Sequence, residues 1–476
     1  MSLKILLIIT GFFCLQVCDG QNIKAKLRKA YQQFESDSQL RHAISSLYVI
    51  NAKTGEVVFD KNSQIGLAGA STQKIITAAT AFELLGKDYR YKTIFSQNGQ
   101  IKSHVFKGEV FITGTGDPTL GSWRYEGTRT DTILKKITLG FRAAGIDSFD
   151  QSSCLYFNNN KFENPDVVGG WIWDDIGNYY GAASKQFNWH ENQYDIVLQS
   201  GNKIGDKIKI KPVPRGFYTP PFPFINNVTA AAKGTGDNAY IYYPTFFRPG
   251  VEAIYLKGTI PVSEDSFVIS GSMQHPELAF IAEYNGKLLE NDLLDQFLFN
   301  QNCSVLNKSD LNAKVLLTLS SPPLDSIIYW FLKRSINLYG EALVKTFAYE
   351  KNDFGSTGSG VVIIKDLWKQ KGLDPEEINI KDGSGLSPQN RITTHAQVEI
   401  LKFAKKQSWF PFFFDALPEF NNMKMKSGTI ADTKGYCGYH TAADGNEYIF
   451  SFLVNNYSGR SSTVVNKMYK VLDVLK

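Results

Sequence analysis

The stretch Ala70-Ser71-Thr72-Gln73-Lys74, with the apolar run that follows it as far as Leu85, decides how the rest of the chain is read. Ile75, Ile76, Ala78, Ala79, Ala81, Phe82, Leu84 and Leu85 leave almost no polar face, and Gly86 supplies a C-terminal stop. The spacing predicts a helix that begins at Ser71. A helix apolar all round belongs in a domain core. Ser71 is therefore expected at its buried N-terminal end, in the field of free N–H groups. Lys74 lies one turn on, with its amine on the same face as the Ser71 hydroxyl. A serine hydroxyl is a poor nucleophile at neutral pH without an adjacent base, and a lysine stripped of water can be that base. The pair reads as a Ser-Lys acylation centre.

The chain around it has 476 residues, enough for two or three domains, with the 43% hydrophobic and 20% charged content of a globular protein. A net charge of +5, spread along the sequence, gives no argument for nucleic acid and permits at most a weak attraction to an anionic polymer. At the N-terminus, Lys4 precedes an apolar run from Ile5 to Val17 and then Cys18-Asp19-Gly20-Gln21. Residues 1–20 are expected to be a signal peptide cleaved after Gly20, too short to cross a membrane as a helix. Val17 in front of Cys18 argues against a lipid anchor there. No other stretch reads as transmembrane, so an exported, soluble, periplasmic or extracytoplasmic protein is expected. Cys154, Cys303 and Cys437 follow the signal and form no Cys-x-x-Cys pair; buried small side chains with at most one disulfide are expected.

Residues 23–35 have the spacing of an amphipathic helix, and a hairpin follows over 44–50 and 56–59. From 89 to 271 the pattern turns β-rich, with short strands at 105–113, 194–199, 207–210, 239–243, 253–256 and 267–269 and one helix at 130–144. Pro-rich loops at 212–223 and 244–261 and the Trp171-Trp173 loop lie inside; the tryptophans read as packing. Helices return at 276–285, 286–300, 325–350, 361–371 and 395–406, then strands at 424–426, 435–441 and 448–454, then a helix over 462–476. Strands at both ends imply one sheet shared by N- and C-terminal parts, residues 21–88 and 272–476, with 89–271 looped out as a β-rich insertion.

An acylating serine also needs a relay for the leaving-group proton, a polar group for the substrate amide, and a cationic strand edge for a carboxylate. Ser335-Ile336-Asn337, on a turn between helical stretches, can supply the first two, and Lys426-Ser427-Gly428-Thr429 the third. The backbone N–H groups of Ser71 and Thr429 could form an oxyanion hole. Other matches to the same triplets, such as Ser200-Gly201-Asn202-Lys203 and Lys53-Thr54-Gly55, fall in polar turns. No H-E-x-x-H pair points to a metal hydrolase and no G-x-S-x-G elbow to an α/β-hydrolase.

In this order the three motifs are S-x-x-K, S-x-N and K-[ST]-G, and the chain resembles the low-molecular-mass penicillin-binding proteins with D-alanyl-D-alanine carboxypeptidase/endopeptidase activity. Specifically it resembles the branch with a large insertion between the first two motifs. Gly116-Asp117-Pro118, Leu256-Lys257-Gly258, Ser321-Pro322-Pro323-Leu324, Asn337-Leu338-Tyr339-Gly340-Glu341-Ala342 and Asp382-Gly383-Ser384-Gly385-Leu386-Ser387 carry the likeness further. Ile336 and Ser427 depart from the commonest pattern without removing a catalytic group.

The resemblance implies an α+β fold: a transpeptidase/β-lactamase-like domain, an antiparallel sheet flanked by helices, with the insertion. It implies peptidoglycan stem peptides as substrate, β-lactam antibiotics as covalent inhibitors, and no metal or cofactor. It assigns Lys74 as base, Ser71 as nucleophile, Ser335 as relay, Asn337 to the peptide amide, and Lys426, Ser427 and Thr429 to the terminal carboxylate, with Gly428 opening the strand edge. A non-catalytic wall-binding protein, or an esterase or β-lactamase on the same scaffold, are the alternatives. The Asp382–Ser387 stretch is given at most a part in shaping the cleft.

Overall fold

A computed structural model describes residues 23–212, 220, 222–243, 253–290, 308–310 and 312–476. The expected signal peptide, Cys303, most of the helix at 286–300 and parts of both Pro-rich loops lie outside the described residues. The chain forms two compact units: one of residues 1–84, 328–335 and 361–476, the other of 85–327 and 336–360.

The first unit is built on a six-stranded antiparallel sheet in the order Glu419–Phe420, Met423–Ile430, Thr433–Thr441, Glu447–Asn455, Ile44–Asn51, Val57–Lys61. The N-terminal strand lies beside the C-terminal one, with Ile44 opposite Asn455, Leu47 opposite Phe452 and Asn51 opposite Tyr448. This is the shared sheet that strands at both ends implied. Alternation along a strand sends successive side chains to opposite faces. Leu47, Val49, Phe450, Phe452 and Val454 pack on one face with Leu27, Tyr31 and Phe34 of the N-terminal helix and Val464, Met468, Val471 and Leu472 of Ser461–Leu472. On the other face Ser46 Oγ lies 2.6 Å from Thr394 Oγ1, and Ser451 Oγ donates to Gln397 Oε1 at 2.6 Å. Both partners belong to the helix Thr394–Ala404. The sheet is thus covered on both faces by helices, the α+β arrangement expected.

The helix predicted from Ser71 is real but begins differently. Ala70–Gln73 form a 3-10 turn and the α-helix runs Lys74–Leu85, buried at every position from Lys74 to Phe82. Ala70, just ahead of Ser71, sits at φ +45°, a left-handed conformation through which no α-helix can extend back.

The second unit contains three sheets. The largest orders Lys314–Ser320, Lys92–Lys102, Val105–Gly114 and Ser148–Phe149, with Cys154–Asn158 also paired to Val105–Gly114. Two three-stranded sheets follow: Asn238–Tyr242, Ile254–Pro261 and Phe224–Ala231; and Phe267–Ser272, Gln193–Gln199 and Lys209–Ile210. One core joins them, centred on Phe280, whose ring lies 5.1 Å from Trp189, 5.6 Å from Phe187 and 5.9 Å from Tyr284. The strands Lys92–Lys102, Phe224–Ala231 and Lys314–Ser320 were not expected from the sequence. Asn98-Gly99 reads as a turn, yet Gly99 stands opposite Gly108 mid-ladder, where a Cβ on it would come within 2.5 Å of the Lys107 carbonyl oxygen. Trp171 is buried, while Trp173 donates Nε1–H to Tyr243 O at 3.0 Å and rests on Tyr242. Cys154 is disulfide-bonded and Cys437 is a buried free thiol.

Candidate active site

The first unit brings Ser71, Lys74, Ser335, Lys426, Ser427, Gly428 and Thr429 to one end of its sheet. Lys74 Nζ, fully buried, donates to Ser71 Oγ at 2.8 Å and to the carbonyl of Ser384 at 2.7 Å. It also lies 6.0 Å from the centre of the Phe331 ring. The amine and hydroxyl share a face across the junction of 3-10 turn and α-helix, as their spacing requires.

That turn is held from three directions. Thr72 Oγ1 donates to Gly69 O at 2.6 Å and accepts from Gln397 Nε2 at 2.8 Å. Gln73 Nε2 donates to Asp382 O at 2.6 Å, and Thr77 Oγ1 to Gly383 O at 2.7 Å. The buried Asp382 carboxylate gathers the rest of its own loop, accepting from Gly385 N at 2.8 Å, Ser387 N at 2.6 Å and Asn390 Nδ2 at 2.9 Å. The Asp382–Ser387 stretch therefore does more than bound a cleft: it sets the Ser384 carbonyl on the Lys74 amine. A backbone carbonyl carries no residue signature, which is why the sequence did not reveal it.

Two glycines allow the close approach. Gly385 has φ +83°, and a Cβ on it would stand 2.0 Å from Ala70 O. A Cβ on Gly428 would stand 2.5 Å from Gly69 O, 2.8 Å from Thr72 N and 3.0 Å from Ser71 N. The strand Met423–Ile430 thus runs backbone against the serine's turn, a contact that any side chain at 428 would break.

Lys426 is the second buried amine. Its Nζ donates to Ser335 Oγ at 3.0 Å and to Ser427 O at 2.9 Å. Burial pushes it down from the usual 10.5 to about 7, and Lys434 adds repulsion. Burial pushes the Cys437 thiol up to about 12, so that group stays protonated. Ser335 sits at φ +59° in the break between the helices Leu324–Lys333 and Asn337–Asn352. A non-glycine residue held there costs roughly 1–3 kcal/mol, and such strain collects where geometry is over-determined. Asn337 belongs to the second unit, where it opens the helix Asn337–Asn352 and donates Nδ2–H to Tyr180 O at 2.8 Å.

Sequence reasoning also passed over Lys434. It stands opposite Thr429 in the neighbouring strand and donates to Thr429 Oγ1 at 2.7 Å. Only the register of the Met423–Ile430/Thr433–Thr441 hairpin could have found it.

A model of the family described as D-Ala-D-Ala carboxypeptidase 3 (S13) matches residues 27–475. The chain is 24% identical over 473 residues to a D-alanyl-D-alanine carboxypeptidase of Actinomadura sp. (strain R39), covering 92% of this chain and 83% of that protein. It is 22% identical over 428 residues to D-alanyl-D-alanine carboxypeptidase DacB of Haemophilus influenzae, covering 86% of this chain and 84% of that protein. Its fold is similar to the crystal structure of penicillin binding protein 4 from Haemophilus influenzae, with a TM-score of 0.78 at 19% identity over 94% of this chain and 99% of the other. Among the described residues no helix is long and apolar enough to cross a membrane. The chain belongs to the D-Ala-D-Ala carboxypeptidase 3 (S13) family and is a serine-type hydrolase of D-alanyl-D-alanine peptides.

Proposed function

We propose that the protein is an exported DD-peptidase that cleaves peptidoglycan stem peptides through an acyl-enzyme on Ser71 and is acylated there by penicillins. The observation that carries this reading is the 2.8 Å hydrogen bond from the buried Lys74 amine to Ser71 Oγ. Complete burial removes the water that favours a lysine's charged form, so the amine can receive the hydroxyl proton as Ser71 attacks the penultimate carbonyl. Gly428 draws the strand edge to within van der Waals range of the serine's turn, which supports the N–H groups of Ser71 and Thr429 as the oxyanion hole.

Collapse of the tetrahedral adduct breaks the C–N bond, and the departing amine takes a proton from Ser335 Oγ. Lys426, bonded to that oxygen and titrating near 7, replenishes it. Lys426 is then reprotonated from solvent, and Lys74 releases to solvent the proton it took from Ser71. The neutral Lys74 amine next deprotonates the water that splits the ester and hands that proton to Ser71 Oγ as it leaves. Asn337 is assigned the substrate's peptide amide on its motif alone. Ser427 and Thr429 are assigned the C-terminal carboxylate. The same reading takes residues 1–20 as a cleaved export signal and 89–271 as the β-rich insertion. A Haemophilus influenzae penicillin binding protein 4 structure with a bound β-lactam, similar in fold at a TM-score of 0.71, supports the inhibitor class.

Intact-mass analysis after incubation with benzylpenicillin, beside Ser71→Ala, tests the proposal. A stable adduct equal to the drug's mass, absent from the folded variant, is expected. No adduct and no drug hydrolysis by folded protein would refute it in favour of a wall-binding role. Rapid drug hydrolysis without a lasting adduct would make the protein a β-lactamase.

A further inference from the structure

The strand Met423–Ile430 carries Ser427 and Thr429 on one face, and their cross-strand partners are Tyr436 and Lys434. Thr429 is exposed, Ser427 and Lys434 half-buried. Lys434 lies along the Tyr436 ring, with Nζ 5.1 Å from its centre, and its head reaches Thr429 Oγ1 at 2.7 Å. A threonine oxygen that accepts from an ammonium keeps its own O–H to donate elsewhere. The cation behind it polarises that O–H and makes it a stronger donor toward a negative partner.

The charge balance points the same way. Lys426 donates to a hydroxyl and a carbonyl, and Lys434 to a hydroxyl. Among the described residues no carboxylate pairs with either. Each is pushed below the usual lysine range by burial, and Lys434 also repels Lys426. Lys426 and Lys434 stand on opposite faces of the same strand pair, and with no acidic partner for either among the described residues the strand edge at Thr429 carries uncompensated positive charge. An anion seated against Thr429 would balance it.

We propose that Lys434 is a specificity-determining residue that, through Thr429, makes the enzyme selective for peptides ending in a free carboxylate over the same peptides capped at that end. The inference rests on the DD-peptidase reading and adds to it a residue outside the three motifs. Lys434 touches no reacting atom. It supports Thr429 from behind and supplies the field in which the carboxylate settles. Substrates lacking that charge gain nothing from it, so its contribution appears as a ratio between two substrates.

The test measures kcat/KM for a diacylated lysyl-D-alanyl-D-alanine peptide and for its C-terminal amide, in wild type, Lys434→Met and Lys434→Arg. The methionine keeps the stem that packs on Tyr436. In Lys434→Met the acid is expected to lose about tenfold, the loss of one charge-assisted contact. The amide should stay within about twofold, and Lys434→Arg should restore most of the acid's rate. Equal losses on acid and amide would mean that Lys434 only holds the hairpin together, and an unchanged acid rate would mean that the carboxylate does not feel it. Either result overturns the proposal while leaving the DD-peptidase reading intact. Wild type that hydrolyses neither peptide and forms no penicillin adduct would overturn the reading itself, and this inference with it.

Discussion

Lys426 is a costly residue to keep, and the cost has a pH signature. Its amine titrates near about 7 in the folded protein against an ordinary 10.5. Between those values the unfolded chain holds the proton and the folded one has released it. The unfolded state therefore binds more protons, and stability rises with pH, by ~1.4 kcal/mol per pH unit for one group. Below about pH 7 both states are charged and the full penalty stands, with an upper bound of ~5 kcal/mol.

Lys426→Met removes that titration. It also leaves Ser335 Oγ and Ser427 O without their donor, at ~1–3 kcal/mol, but that loss does not vary with pH. Urea unfolding of both proteins from about pH 6 to pH 9.5 separates the two effects, because titrating groups away from Lys426 cancel in the difference and only its neighbours Lys434 and Cys437 are left to adjust. Wild type is expected to gain about 2.5 kcal/mol relative to the variant between about pH 7.5 and 9.5. Below about pH 6.5 the difference should be flat. On the proposed mechanism the variant should also be inactive, since the relay through Ser335 would have lost its source. Parallel stability curves across the whole range would refute the claim that burial lowers the proton affinity of the Lys426 amine.

Two further outcomes follow from the packing. Gly428→Ala places a methyl 2.5 Å from Gly69 O, and backbone cannot yield as a flexible side chain would; penicillin acylation followed by intact mass should slow by at least about a hundredfold. Phe280→Ala empties the centre of the second unit's aromatic core and should cost ~3–5 kcal/mol in denaturant unfolding, while Phe412→Ala, at a position 40% exposed, should cost under about 1 kcal/mol.

How far the sequence could be read depended on what each feature requires of side-chain identity. Ser71 and Lys74 were legible because a serine and an amine one turn apart on an apolar helix have few structural reasons to coexist. Lys426-Ser427-Gly428 was legible because the glycine is demanded by the Gly69–Thr72 backbone it meets. Ser384 was not, because it acts through its carbonyl. Lys434 was not, because it reaches the site by strand register, which one sequence leaves open. The left-handed Ala70 ahead of the helix escaped for a related reason: φ +45° is imposed by its surroundings against alanine's own preference. Strand Lys92–Lys102 escaped because paired glycines in a ladder look like a turn when only one strand is in view.

The pairing of Ile44–Asn51 with Glu447–Asn455 sets a timetable for the molecule. A chain emerging N-terminus first presents Ser71 and Lys74 early, yet the strand that flanks its N-terminal hairpin, Glu447–Asn455, lies about 390 residues later. Until then Ile44–Asn51 has one open edge, and nothing has brought Gly428 against the serine's turn. Closing a loop of such length is slow, and an open apolar strand in the meantime invites aggregation. The turn that carries Ser71 and the strand that meets it come from distant parts of the sequence. A chain broken off before Met423 would lack the strand that Gly428 brings against the Ser71 turn, and on the proposed mechanism it should not be acylated by penicillin.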